Sequence, residues 1–210
     1  LQTFTADTIT LDSSNDDFLI KGTIWNGQKL YDLYKEASLP WAWHEELFKT
    51  AKEEDLVCFS SPFNFTAVDL LEELDCPIYK IASLEITDIP LIKYVASKGK
   101  PIIISTGMAT YEDIKLAVDT CREAGNNDIT ILKCTSSYPA PIEEANLSLM
   151  QRFSKDFDVK VGLSDHTLGI VAPVVAVTLG ASVIEKHFIL DKNVGGPDAS
   201  FSLDEAEFTE

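Results

Sequence analysis

From residue 56 onward the chain repeats one unit: a helical stretch ends at a glycine, a short link follows, and then comes a run of apolar residues. The segments SKGKPIII, REAGNNDITIL and TLGASVIE each carry it. Runs at 56–60, 78–82, 101–105, 129–134, 159–163 and 183–188 are short and apolar, as strands covered on both faces should be. Helical patterns lie between them. Thr110 opens one with an acidic residue three positions on; Ile114, Ala117, Val118 and Cys121 then share a face before Gly125 ends it. Leu91, Ile92, Val95 and Ala96 do the same before Gly99, and Val174, Val175 and Thr178 before Gly180.

Repeated β-α units make a parallel sheet. Six complete strands are visible, and residues 1–3 read as the tail of a seventh. A long insertion follows at 4–40, rich in Asp, Ser, Asn and Gly, and then a helix from 41 to about 52. A closed (β/α)8 TIM barrel needs eight strands. The expected architecture is therefore such a barrel, incomplete at the N-terminus, with strand 1 and most of strand 2 absent, and truncated in helix 8 at Glu210. Residues 1–210 form one partial-barrel catalytic domain on this reading. The competing doubly wound open sheet normally carries a glycine-rich phosphate loop, and the chain has no GxGxxG or GxxxxGK.

Composition narrows the partners. Seventeen basic against 34 acidic residues leave a formal charge of −17, a surface that repels nucleic acid and anionic lipid. No apolar stretch approaches the ~18 residues of a membrane span. The four cysteines, Cys58, Cys76, Cys121 and Cys134, show no CxxC spacing and are expected to be buried, reduced thiols of a cytoplasmic protein. An anionic substrate would need the few cations concentrated at one place.

In parallel barrels, chemistry sits where strands end and loops begin. VGLSDHT closes one strand and IEKHF the next. Side chains alternate along a strand, so Ser164 and His166 share a side, as do Glu185 and His187. Two of only three histidines thus stand on adjacent strand ends, able to meet one cation with Glu185 behind them. Two imidazoles with water or substrate oxygen suit Mn²⁺ or Mg²⁺ better than a closed structural Zn²⁺ site. Lys80, in the otherwise apolar YKIASLE run, is expected to point to the barrel mouth, with Ser83 and Glu85 following. Lys133 repeats the pattern ahead of Thr135, Ser136, Ser137 and Tyr138; Ser60 and Ser61 end another strand, and Ser105 and Thr106 another ahead of Gly107. A ring of hydroxyls with two lysines would cradle an anion. His44 is expected in a surface or packing role in the first turns of a helix, and Trp25, Trp41 and Trp43 in packing. The acidic segment SLDEAEFTE reads as a solvated helix start.

Taken in order, KIASLE, ISTGM, KCTSSYPAP, GLSDHT, IEKHF and GGPD resemble the sialic acid synthase family of phosphoenolpyruvate-dependent nonulosonate synthases, over essentially the whole chain. The stretch from LQTFTADTITLD through KGTIWNGQKLYDLYKEA to PWAWH and FSSPF looks most like the pseudaminic acid branch. The resemblance implies His166 and His187 as ligands of a divalent metal, Mn²⁺ or Mg²⁺. It implies Ser61, Lys80, Ser83, Ser105, Ser136 and Ser164 around phosphoenolpyruvate, and Gln2, Tyr138 and Asp198 around an acetamido sugar. Glu85 and Glu185 would be acid/base or supporting groups, and the full-length protein a homodimer. Ser136 stands where sialic acid synthases usually have Asn, and Ser61 where they have Thr, which argues against N-acetylmannosamine as the acceptor. A glutamate on the family's first strand, a lysine just before the QT pair and a C-terminal antifreeze-like domain lie outside these residues, so the 210-residue chain alone is expected to turn over little or not at all. The alternatives are an N-acetylneuraminate or legionaminate synthase, another phosphoenolpyruvate-condensing or aldolase-type barrel, and a non-enzymatic barrel fragment.

Overall fold

The computed structural model describes residues 1–209; Glu210, which the reading above places inside a further helix, lies outside the described residues. Seven strands occur among them: β1 (Gln2–Thr3), β2 (Ser61–Pro62), β3 (Tyr79–Ile81), β4 (Ile102–Ser105), β5 (Ile129–Cys134), β6 (Lys160–Asp165) and β7 (Val183–Lys186). Every strand pairs in parallel with its neighbour in sequence, as β1-β2 and β3-β4-β5-β6-β7, and a parallel bridge from Ser60 to Tyr79 joins the two sheets. The helices α4 (Phe65–Glu73), α5 (Ile89–Ala96), α6 (Tyr111–Glu123), α7 (Leu149–Phe157) and α8 (Val171–Thr178) connect consecutive strands from β2 to β7.

The sheet is rolled. Strands β3 and β7 are the two edges of the five-stranded sheet, and four spacings of ~4.8 Å would hold them ~19 Å apart if it were flat. Lys80 Nζ nevertheless lies 3.1 Å from Glu185 Oε2, and the two extended side chains together reach only roughly half the flat distance. This is the curvature of a barrel wall. The wall does not close, because β1 and β7 remain unpaired with each other, so the described residues form an open parallel arc rather than an eight-stranded ring.

The core lies between the sheet's outer face and the helices. Tyr79, Ile81, Ile102, Ile104, Ile129, Ile131, Val161 and Leu163 are buried against Leu91, Ile92, Val95, Ile114, Val118 and Met150. Alternation then sends the intervening residues, Lys80, Ser105, Cys134 and Ser164 among them, to the inner face. Helix α6 opens with the capping box Thr110–Asp113, and Gly99, Gly125 and Gly180 follow their helices at positive φ, as the sequence pattern predicts.

Several details differ from expectation. The run at 56–60 is not a strand: only Ser60 bridges, Leu56 and Val57 are exposed, and regular pairing begins at Ser61, opposite Gln2. Residues 4–40 hold two short helices, α1 (Ala6–Ile9) and α2 (Leu30–Ala37). The face of α8 is the wrong one. Val174 and Val175 are 57% and 40% exposed, while Ala172 and Ala176 are buried. An all-apolar helix shows no periodic signal, and its small side chains allow the closest approach to the sheet. Cys76, Cys121 and Cys134 are buried and free; Cys58 is free but only partly buried. The segment after residue 200 is not simply solvated, since Phe201, Ser202 and Leu203 are buried before α9 (Glu205–Thr209) begins. Among the described residues no helix is long and apolar enough to cross a membrane.

Candidate functional site

The carboxyl ends of β3 to β7 converge on the inside of the arc. Register pairs Cys134 with Ser164 and Ser164 with Glu185, so these three inward positions form one row. His166 and His187 lie two residues beyond Ser164 and Glu185, on the same side, and their ring centres are 5.4 Å apart.

Each imidazole is anchored through Nδ1. His166 Nδ1 lies 2.8 Å from the Thr135 carbonyl oxygen, to which it can donate, and His187 Nδ1 lies 3.3 Å from Asp198 Oδ2. Anchoring at Nδ1 fixes the tautomer and leaves Nε2 as the free lone pair, the arrangement metal-ligating histidines adopt. Two nitrogens each ~2.1 Å from one ion are compatible with this ring separation. Among the described residues no group of three or more His, Cys, Asp or Glu could hold a metal by itself. The pair therefore fits as part of a coordination shell and not as a complete one.

Tyr138 packs on the histidines, its ring 4.1 Å from His166 and 6.1 Å from His187. Phe201 lies 5.3 Å from Tyr138 and 5.0 Å from His187, and Trp25 adds a ring 5.9 Å from Tyr138 while donating Nε1–H to the Pro197 carbonyl at 3.0 Å. Expected only to pack, Trp25 does so, but at the rim of the site, bringing the insertion at 4–40 to its edge.

Beside the histidines stands an ion pair with a hydroxyl on it. Lys80 pairs with Glu185, and Ser164 Oγ donates to Glu185 Oε1 at 2.6 Å. Exclusion of water opposes charge on Glu185, but the Lys80 ammonium and the Ser164 hydroxyl outweigh it and hold the carboxyl below its ordinary range. Glu85, the first residue of a 3-10 turn after β3, has no such partner. Burial pushes its pKa up to about 7, and its Oε2 makes no hydrogen bond. Ser105 Oγ and Thr167 Oγ1 are likewise buried and unpartnered. Of these, Ser105 Oγ belongs to an inward position at the carboxyl end of β4, where a ligand could complete its hydrogen bonds.

Ser83, Gly107 and Ser136 form a tight corner. Gly107 N–H donates to Ser83 Oγ at 3.1 Å, and a Cβ at Gly107 would come within 1.9 Å of Ser136 Oγ. Cys134 Sγ is 3.9 Å from both Ser136 Oγ and His166 Nδ1. Burial disfavours charge on both the thiol and the imidazole, yet the contact draws the Cys134 thiol down and the His166 imidazole up. Sequence reasoning treated Cys134 only as a core thiol; its parity with Ser136 was the available signal. Gln2 and Ser61, register partners on the first two strands, make no side-chain hydrogen bond to the other candidates.

One expectation is corrected. Lys133 does not join an anion cradle: it lies one residue out of phase with Cys134, and Nζ binds Thr135 Oγ1 at 2.5 Å and the Glu144 carbonyl at 3.3 Å, tying down the loop after β5. Burial lowers its pKa. Of the two roles expected for His44, surface or packing, it takes the second: it is fully buried, its Nε2 2.8 Å from Thr3 Oγ1, which in turn meets Ser60 Oγ at 2.7 Å. It knits α3 (His44–Glu53) to β1 and β2.

An α/β barrel wall carrying its polar residues at the carboxyl ends of successive parallel strands defines the class of protein. The chain belongs to the NeuB family, whose model matches residues 1–210. It is 53% identical over 204 residues to the pseudaminic acid synthase of Helicobacter pylori, covering 97% of this chain and 60% of that protein. To the N,N'-diacetyllegionaminic acid synthase of Campylobacter jejuni subsp. jejuni it is 44% identical over 187 residues, 88% of this chain and 56% of that one. The crystal structure of an N-acetylneuraminic acid synthetase from Leptospira borgpetersenii in complex with citrate superposes with a TM-score of 0.81 at 32% identity, covering 85% of this chain and 62% of that one. The chain thus spans about 60% of the length of the curated relative it matches at 53% identity.

Proposed function

We propose that the protein is a nonulosonate synthase that condenses phosphoenolpyruvate with a 2,4-diacetamido-trideoxyhexose, releasing phosphate and a nine-carbon pseudaminic-type acid. The observation that carries this reading is the pair of Nδ1-anchored imidazoles beside a lysine–carboxylate pair at the mouth of the sheet. The 53% identity to a pseudaminic acid synthase supports the product class. A homodimer, suggested by the family, and a cytoplasmic location, suggested by the unpaired cysteines, belong to the same proposal.

His166 and His187 would hold a divalent cation, Mn²⁺ or Mg²⁺, which supplies Lewis-acid polarisation of the acceptor aldehyde. Lys80, with Ser61, Ser83, Ser105, Ser136 and Ser164, binds the carboxylate and phosphate of phosphoenolpyruvate, one cation set among hydroxyls in an acidic protein. Gln2, Tyr138 and Asp198 orient the sugar, and the rings of Tyr138, Phe201 and Trp25 offer an apolar wall to its methyl and acetyl groups. C3 of phosphoenolpyruvate forms the new bond to the aldehyde carbon, whose oxygen takes a proton. Water adds at C2, its proton passing to a carboxylate, and the C2–O bond to phosphate breaks. Glu85, protonated near neutrality, is suited to give a proton, and Glu185, held ionised, to take one or to steady Lys80.

Phosphate release from the intact protein with Mn²⁺, phosphoenolpyruvate and a panel of acetamido hexoses tests this. Release is expected only with the diacetamido-trideoxyhexose. Release only with N-acetylmannosamine would turn the assignment to a sialic acid synthase, and release with none would overturn it.

A further inference from the structure

Immediately before each site histidine stands a buried charged residue: Asp165 before His166, Lys186 before His187. The two are register partners across β6 and β7. Lys186 Nζ lies 2.5 Å from Asp165 Oδ2, and their side chains are 4% and 2% exposed. Alternation puts them on the face opposite the histidines, against the helices, so neither can touch substrate or cation. The function proposed above gives them no task.

Their remaining hydrogen bonds all converge on the segment that carries His166. Asp165 Oδ1 accepts the Thr167 N–H at 3.0 Å, and Lys186 Nζ donates to the Thr167 carbonyl. The His166 carbonyl accepts Ala140 N–H at 2.9 Å. His166 is therefore clamped on both sides, and the clamp is closed by the residue bonded to His187. A buried ion pair is a weak source of stability, since an apolar pair of similar volume often does as well or better. This one bridges β6 and β7 at the point where the two histidines leave their strands.

We propose that Asp165 and Lys186 are positioning residues that set the separation and orientation of His166 and His187, and with them the affinity of the pair for a divalent cation. The inference rests on reading those histidines as cation ligands.

Calorimetric titration of Mn²⁺ into the intact, metal-stripped protein, paired with thermal melts, separates the two ideas. Wild type is expected to bind and His166→Ala to lose binding. The apolar double variant Asp165→Leu/Lys186→Met should melt close to wild type yet bind Mn²⁺ ~10–100-fold more weakly, the usual effect of removing groups that orient metal ligands. A folded double variant with wild-type affinity overturns the proposal. Should that variant fail to fold, the neutral pair Asp165→Asn/Lys186→Gln, which keeps an acceptor for Thr167 N–H and leaves no buried charge unpaired, is expected to stay folded and bind roughly tenfold more weakly; wild-type affinity there overturns it equally. Wild-type protein that binds no Mn²⁺ through His166 removes the histidine reading itself, and the proposal with it.

Discussion

Lys80 Nζ and Glu185 Oε2 lie 3.1 Å apart although 105 residues separate them and they stand on opposite edges of the five-stranded sheet. The contact spans the inside of the arc. It ties the strand that supplies the site's inward cation to the strand that supplies His187. An incoming anion can draw the ammonium toward itself while Glu185 keeps the Ser164 hydroxyl as a partner. Lys80→Met should therefore weaken phosphoenolpyruvate binding by ~10–100-fold, the ~1.5–3 kcal/mol of a charge-assisted hydrogen bond. The KM for phosphoenolpyruvate, measured against that for the sugar, checks this; a rise confined to the sugar would place the lysine elsewhere.

Glu85 should make stability depend on pH. Its folded pKa of about 7 is raised above the ordinary 4.5, so the fold holds this proton more tightly than the unfolded chain does. The associated stability is fully present below about 4.5 and is lost as pH rises through 7. Glu85→Gln removes the effect. The variant should match wild type near pH 4.5 and exceed it at pH 8 by about 1–2 kcal/mol, allowing for partial solvent access. Thermal melts across that range decide, and parallel slopes for the two proteins would count against it.

Gly107 and Gly162 should respond differently to alanine. At Gly107 the added methyl meets the Ser136 hydroxyl at 1.9 Å and Ser83 Oγ at 2.8 Å, both ends of rotatable side chains. Gly107→Ala is expected to fold with a loss of ~1–2 kcal/mol while turning Ser136 away, and to bind phosphoenolpyruvate roughly tenfold more weakly.

At Gly162 the methyl meets the Val183 carbonyl oxygen at 2.2 Å, a backbone atom of the neighbouring strand. That strand cannot move without breaking the β6–β7 ladder, so Gly162→Ala should cost ~2–3 kcal/mol and lower the Tm by roughly 5 °C or more. A Tm within a degree of wild type would mean the two strands are further apart at that point than the structure has them.

The barrel wall was legible because short apolar runs and glycine-ended helices repeat with little interruption from Gly99 to Glu185. The histidine pair was legible through parity alone, since Ser164/His166 and Glu185/His187 must share faces. The same rule turns Lys133, out of phase with Cys134, away from the site. It likewise sets Asp165 and Lys186, opposite charges at matching positions of adjacent strands, on the helix side. Facing valines could not be chosen on α8, where every side chain but Thr178 is apolar and only Ala172 and Ala176 are small enough to lie against the sheet. Trp25 is a different case: its approach to Tyr138 is a contact between distant segments, and no local pattern encodes it.

On the proposed reading, His166 and His187 together hold one divalent cation. Mn²⁺ titrated calorimetrically into the metal-stripped intact protein, with His166→Ala and His187→Ala alongside, tests it most directly. One ion per chain is predicted for wild type, with binding weakened beyond detection, or at least ~100-fold, in each variant. Undiminished Mn²⁺ binding in both variants would contradict the account and leave the two imidazoles as structural groups of the β6 and β7 ends.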